Sequence, residues 1–260
     1  MALLASPAAA ADAQKPEIVA HRGASFDAPE NTIASLKLAW EQMADAVEFD
    51  VFLSKDGKIV LIHDANTKRV AGVDKPVVQQ SLVELRQLDV GKWKDAKFAG
   101  EKVPTLEEAL ATVPAGKRVF IEVKCGPEIV EELDRVLKAS KLKPEQTAVI
   151  SFSADVVAAV KKARPELKVY WVVSLAPKNA KPRTAEELIV KAKEIKADGL
   201  DLSATPQILN EAFGKEVKAA GLQLYVWTVN DVDLAKQMLA AGAEGITTDR
   251  PAWLREQLRK

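Results

Sequence analysis

The sequence predicts an α/β protein folded as a (β/α)8 barrel, a TIM barrel, and three observations carry that expectation. The chain has 260 residues, the length of one such barrel. Its residues are 48% apolar, enough to fill a large core, while charges of both signs are mixed throughout. Short β-branched runs alternate with longer amphipathic segments as far as the last residues.

Taken in order, the first strand-like run is 17–21, and a helical pattern follows at 32–44 behind the start signal Asn31-Thr32. The second strand, 46–52, leads into Ser54-Lys55-Asp56-Gly57-Lys58, where Asp-Gly signals a hairpin between two strand-like runs. The stretch 65–103 is too long for a simple loop and reads as a small insertion on the barrel rim, with a short helix at 81–88 and aromatic Trp93 and Phe98. Strand-like runs then recur at 118–124, 147–151, 168–173, 199–202, 223–228 and 244–248. Helical patterns occupy 105–112, 127–140, 154–163, 185–195, 206–220, 232–241 and 252–259. Thr184 with Glu187 forms a capping box, and Gly221 and Gly242 suit left-handed helix ends. The expected barrel domain is 16–260.

Before it, 1–15 reads as a disordered tail or the remnant of a signal peptide, small and apolar with several A-x-A choices but no positive start. That remnant predicts a periplasmic or secreted protein and leaves a cytoplasmic one open. No later stretch has the roughly 18 apolar residues that span a bilayer, so no stable membrane insertion is expected. A formal net charge of zero gives no reason to expect nucleic acid as a partner. Cys125 is the only cysteine, which excludes an intramolecular disulfide and a thiolate zinc cluster. Oligomeric state is not legible.

Barrel enzymes carry their reactive side chains at the C-terminal ends of strands. Those ends hold His21-Arg22, Glu48-Phe49-Asp50, Glu122-Val123-Lys124, Trp227 and Asp249. Glu48 and Asp50 are two apart on one strand and share a face, while Val47, Phe49 and Val51 take the other. Inward carboxylates repel and lose hydration unless a cation sits between them. With Glu122 they make a hard oxygen site for calcium, magnesium or manganese rather than zinc. The competing reading is a buried ion-pair network with Lys124 and Arg22.

The chain has two histidines, His21 and His63, both at strand ends. A two-residue Asp56-Gly57 turn sets His63 opposite Asp50, where cross-strand Cβ atoms lie about 4.5–5.5 Å apart. A carboxylate neighbour suits imidazole to general acid–base work. Arg22 supplies a planar fork for phosphate oxygens and Lys124 a point charge. These cations favour phosphoryl chemistry over glycoside hydrolysis, which needs two carboxylates but no cationic clamp. Trp227 either packs on substrate carbons or seals the core, Asn31 either orients the site or caps the first helix, and Asp249 reads as a cap for the last. Trp40, Trp171 and Trp253 read as packing.

In order and spacing, His21-Arg22-Gly23, Glu30-Asn31-Thr32, Glu48-Phe49-Asp50-Val51, Asp56-Gly57 and His63-Asp64 resemble the glycerophosphodiester phosphodiesterase family. Leu85-Arg86, Leu88-Asp89, Gly91, Gly100-Glu101 and Pro104-Thr105-Leu106-Glu107-Glu108 resemble its insertion and exit. Ile121-Glu122-Val123-Lys124, Val226-Trp227-Thr228-Val229-Asn230 and Gly245-Ile246-Thr247-Thr248-Asp249-Arg250-Pro251 resemble its later signatures, so the likeness runs from about residue 18 to the end. The resemblance implies that Glu48, Asp50 and Glu122 bind one divalent cation, usually calcium or magnesium. It implies that His21 and His63 exchange proton-donor and proton-acceptor roles, that Arg22 and Lys124 hold phosphate, and that Trp227 packs on glycerol. The implied reaction cleaves a small glycerophosphodiester to an alcohol and glycerol 3-phosphate, the glycerol 2-hydroxyl attacking phosphorus first. Two alternatives stand beside it: phospholipase D-like cleavage of lysophospholipid or sphingomyelin headgroups, and a non-catalytic phosphodiester-binding barrel. Both histidines are present, which argues against the last.

Overall fold

A computed structural model describes residues 15–260, so the tail or signal remnant expected at 1–15 lies outside the described residues apart from Lys15. Among the described residues, nine strands form one sheet: β1 (Glu17–Ala20), β2 (Ala46–Leu53), β3 (Ile59–Leu61), β4 (Arg118–Val123), β5 (Thr147–Ser151), β6 (Lys168–Val173), β7 (Gly199–Ser203), β8 (Gln223–Trp227) and β9 (Gly245–Thr248). Leaving aside β3, the strands pair in parallel in the order β1-β9-β8-β7-β6-β5-β4-β2, and β1 pairs with β2 to close the ring. The barrel expected from the sequence is the one that forms.

Helices cover the outside: α1 (Ile33–Glu41), α4 (Leu106–Leu110), α5 (Val130–Ala139), α6 (Ala154–Ala163), α7 (Ala185–Glu194), α8 (Glu211–Ala219), α9 (Val232–Ala240) and α10 (Pro251–Gln257), while the short α2 (Lys68–Ala71) and α3 (Leu82–Leu85) belong to the insertion after β3. Strand alternation divides the core in two. Outward residues such as Val47, Phe49, Ile121 and Leu200 pack with the helices, and inward Val19, Phe120, Ile150, Tyr170 and Tyr225 fill the barrel. Arg118 closes the N-terminal end, 2.6 Å from Glu17 and 3.1 Å from the Tyr225 hydroxyl. The C-terminal end is left for chemistry.

The helix signals hold where side chains cap. Thr184 accepts a hydrogen bond from the Glu187 amide in a capping box, and Gly221 and Gly242 both have positive φ. The helix expected over 206–220 starts later, at Glu211, because the Asn210 side chain accepts from the Phe213 amide and fixes the end there.

The hairpin differs by one residue from its expected register. Its loop has three residues, not two: Gly57 has φ 71°, its amide donates to the Ser54 carbonyl, and the Lys58 amide donates to Ser54 Oγ. Val51 therefore pairs with Leu61, and the Ile62 amide donates to the Asp50 carbonyl at 3.1 Å. Ile62, not His63, lies opposite Asp50. Beyond the hairpin, the insertion builds its own core from Val70, Val77, Leu85, Val90 and Val103 against Phe52, Val60 and Ile62. It stands over the C-terminal end of β2.

Candidate active site

The turn after β1 organises the site. Arg22 has φ 56° and Gly23 φ 80°, and a Cβ on Gly23 would lie 2.5 Å from Ser35 Oγ, so glycine is needed there for space as well as conformation. The turn aims the Arg22 amide at Glu48 Oε2, 2.9 Å away, and brings its side-chain Nε to 3.1 Å from Asp50 Oδ2. Asn31, also left-handed at φ 56°, donates from Nδ2 to Asp50 Oδ2 at 2.8 Å, and its Oδ1 accepts from the Asp50 amide at 3.0 Å. Asn31 orients the site; Thr32 is the cap of α1.

Glu48, Asp50 and Glu122 are all buried, and a potential ligand oxygen from each lies within 4.8 Å of the others. Burial, then the charges of Asp50 and Glu122, push the Glu48 carboxyl well above its ordinary range. Burial and Asp50 also raise Glu122. Burial opposes ionisation of Asp50 too, but Arg22, Lys124 and His63 outweigh it and hold that carboxyl low. Lys124 Nζ is 2.7 Å from Glu122 Oε1 and 3.4 Å from Asp50 Oδ1. Glu48 Oε1 and Asp50 Oδ1 are buried without a hydrogen-bond partner. Three close carboxylates, two of them with orphaned oxygens, fit a hard divalent cation; the ion pairs to Arg22 and Lys124 neutralise only part of the cluster.

Each histidine is oriented by a carboxylate. His21 Nδ1 is 2.6 Å from Asp249 Oδ1, and His63 Nδ1 is 2.6 Å from Asp64 Oδ1. With Nδ1 engaged, Nε2 is the nitrogen each ring presents to the cavity. Asp64 also accepts from Arg69 Nε at 2.6 Å, Arg69 reaches Glu30 at 2.7 and 2.8 Å, and Glu30 accepts from Arg22 at 3.0 Å. A continuous ionic chain thus ties the insertion to the turn after β1. His63 lines the site despite the shifted register: it stands two residues past Leu61, where the strand pairing of β3 ends, and Asp64 holds its ring.

Of the eight expected site residues seven line one cavity, and the eighth, Asp50, meets two of them, Glu48 and Glu122, with oxygens within 4.8 Å. His21, Arg22, Glu48, His63, Glu122, Lys124 and Trp227 line one cavity of about 210 Å³, with Ile150, Phe152, Val172, Asp201, Thr228 and Thr247. Trp227 donates from Nε1 to the Asp201 carbonyl at 3.1 Å and meets Phe152 edge-on at 5.5 Å. A second cavity of about 290 Å³ adjoins the first across His21 and Arg22, lined by Ser25, Phe26, Glu30, Asp249 and the insertion's Trp93 and Lys94. A groove of about 410 Å³ on the barrel's outside, among Leu110, Val113, Val136 and Leu142, has no comparable cluster of reactive groups.

Two carboxylates carry more than the sequence reading assigned. Asp249 does not cap α10, whose first turn has no side-chain cap; it holds His21, Ser25 Oγ at 2.8 Å and Asn230 Nδ2 at 2.6 Å. Asp201 went unnoticed. Its signal was present: an acid between Leu200 and Leu202 on a strand must face inward if the leucines face out, as for Glu48 and Asp50.

The family model described as "Glycerophosphoryl diester phosphodiesterase family" matches residues 21–253. A glycerophosphodiester phosphodiesterase of Caldanaerobacter subterraneus is 33% identical over 253 residues, 94% of this chain and 98% of that protein. One of Bacillus subtilis is 32% identical over 249 residues, covering 90% and 83%. Among solved structures, an Oleispira antarctica phosphodiesterase in complex with the product sn-glycerol-3-phosphate superposes with a TM-score of 0.85 at 30% identity, over 94% of this chain and 97% of that one.

Proposed function

The chain belongs to the glycerophosphoryl diester phosphodiesterase family and is an enzyme, and from that premise we propose the following division of labour in its hydrolysis of glycerophosphodiesters to an alcohol and glycerol 3-phosphate. One observation carries it: two imidazoles, each pinned through Nδ1, share a cavity with Glu48, Glu122, Arg22 and Lys124, over buried Asp50.

Arg22 and Lys124 hold the phosphoryl oxygens. One of His21 and His63 takes the proton from the glycerol 2-hydroxyl as that oxygen attacks phosphorus. The other gives a proton to the departing alkoxide, leaving a cyclic phosphate; water then opens the ring with the two roles reversed. Glu48, Asp50 and Glu122 would hold a divalent cation, calcium, magnesium or manganese, which when bound offsets charge on the phosphoryl oxygens. The cavities on either side of His21 and Arg22 suit the two halves of a diester, glycerol beside Trp227 and the alcohol beside Trp93. The product in the Oleispira antarctica complex supports glycerol 3-phosphate as the product here.

The test is release of glycerol 3-phosphate from glycerophosphocholine and glycerophosphoethanolamine, after chelation and after return of each metal, with His63→Ala alongside. Metal-dependent release that the variant loses is the expected result; no release with any metal would overturn the reading.

A second reading, cleavage of lysophospholipid headgroups at the same site, is favoured by apolar side chains exposed around the mouth and on the insertion: Phe26, Trp93, Phe152, Val78 and Val83. Faster turnover of lysophosphatidylcholine than of glycerophosphocholine would select it.

A further inference from the structure

Asp201 has no part in the acid–base pair, the metal cluster or the phosphate clamp. It sits inward on β7, 2% exposed, and its Oδ1 is buried without a hydrogen-bond partner. An unpaired buried carboxyl opposes folding, so its place in the cavity wall calls for a ligand. It is not among the carboxylates whose oxygens converge within 4.8 Å. Glu122 is the charged group that acts on it, and the cavity wall it shares is otherwise largely apolar: Trp227, whose indole is fixed by its bond to the Asp201 carbonyl, then Phe152, Ile150 and Val172. The cavity therefore offers two unlike kinds of contact, the cations Arg22 and Lys124, and an aromatic and aliphatic wall that carries the orphaned Asp201 carboxyl. A glycerophosphoryl group has the same polarity, an anion at one end and hydroxyls on a short carbon chain at the other.

Resting on the function proposed above, we infer that Asp201 determines specificity for a polyol by hydrogen bonding a glycerol hydroxyl laid against Trp227. A carboxyl oxygen accepts from a hydroxyl, so the orphaned group gains its missing partner only when the substrate carries one. A site built this way rejects the analogue that lacks the hydroxyl, because binding that analogue leaves the buried group unpaired. Aromatic and aliphatic walls alone would take either.

The test measures binding of glycerol 3-phosphate and of propyl phosphate, the same monoester without hydroxyls, to metal-loaded wild type, Asp201→Val and Asp201→Asn. Wild type should prefer glycerol 3-phosphate by roughly 10–100-fold, the cost of leaving a buried polar group without its partner. Asp201→Val should cut the preference to about threefold or less, through weaker glycerol 3-phosphate binding and unchanged propyl phosphate binding. Asp201→Asn, which still accepts from a hydroxyl, should retain part of it. The ligand-free valine variant should also melt above wild type, which a supporting role in the fold would not produce. Asp201→Ala gives the same binding readout if the valine protein does not fold. Full preference in the valine or alanine protein overturns the inference alone, as does equal weakening of both ligands with weaker manganese binding. No preference in wild type also overturns the inference, and release of glycerol 3-phosphate from glycerophosphocholine by the same protein then shows that the proposed function stands without it.

Discussion

His21 Nδ1 lies 2.6 Å from Asp249 Oδ1, joining residues 228 apart in the chain at the mouth of the barrel. Asp249 is itself held by Ser25 and Asn230, so it fixes the ring as a strut rather than as a loose counter-ion. Asp249→Asn should lower kcat by about 10–100-fold with little change in KM, the usual effect of removing such a support. Steady-state kinetics decide it; an unchanged kcat would mean that packing alone aligns the ring.

The same pair makes an acid-stability prediction. Burial opposes ionisation of Asp249, but the bond and charge of His21, with Asn230 and Ser25, bring its carboxyl down to about 2 from 3.8. A depressed carboxyl stabilises the fold above its unfolded value and ceases to do so as pH falls through its folded one. The contribution, roughly 2 kcal/mol, should be present above pH 3.8 and fade toward pH 2. In denaturant titrations across that window the Asp249→Asn protein should show a shallower loss than wild type.

His63→Ala should cost about 10²–10⁴ in kcat, the span ascribed to one general acid or base. Calorimetric manganese affinity should stay within a few-fold of wild type, since the ring bonds to Asp64 and not to the carboxylate cluster. A large fall in metal affinity would recast His63 as part of the cation site.

Crowded carboxylates predict the effect of chelation. Glu48 is raised above its ordinary 4.5 by burial and by Asp50 and Glu122, so metal-free protein should lose stability as pH rises above 4.5, where the unfolded chain ionises first. Metal should reverse this, by about 2.7 kcal/mol at a hundred times its Kd. Metal-free Glu48→Gln should melt above metal-free wild type yet gain less from manganese. Thermal melts with and without chelator would reveal the opposite order if the cluster were a self-sufficient ion-pair network.

Asn31 serves Asp50 twice, through its amide nitrogen and its carbonyl oxygen. Asn31→Ala leaves a buried amide and a buried carboxylate oxygen short of partners, a loss of about 1–3 kcal/mol for each. Chemical denaturation should show the loss and calorimetry a weaker manganese affinity. Equal affinity in the variant would leave Asn31 with stability alone.

Alternation made most of the barrel readable. Each strand shows apolar residues on its helix-facing side, and Glu48, Asp50, Glu122 and Lys124 stand out because they break the apolar pattern on the inner side. The hairpin was harder. Asp-Gly fits both a two-residue turn and a three-residue loop, and the Ser54 hydroxyl, by taking the Lys58 amide, decides for the longer one. The partners of the histidines were least legible. Asp249 meets His21 only through barrel closure, and Arg69, close to Asp64 in the chain, meets Glu30 only once the insertion folds back over the mouth. Asp201 was legible by the argument that found Glu48, but one acid on a strand attracts less notice than two.

Closure has a consequence for when this protein starts to work. β1, near the start of the described chain, is flanked by β2 over only Val19–Ala46 and Ala20–Val47, while β9 pairs with it along Glu17, Ile18, Val19 and Ala20. On a ribosome, the first strand waits for the last before it has its longer neighbour. A growing chain that already carries both histidines, the carboxylate cluster, Arg22 and Lys124 still lacks the strut for His21 until Asp249 emerges. Alignment of His21 is thereby tied to the arrival of β9, and a fragment broken off before β9 lacks both Asp249 and the longer neighbour of β1.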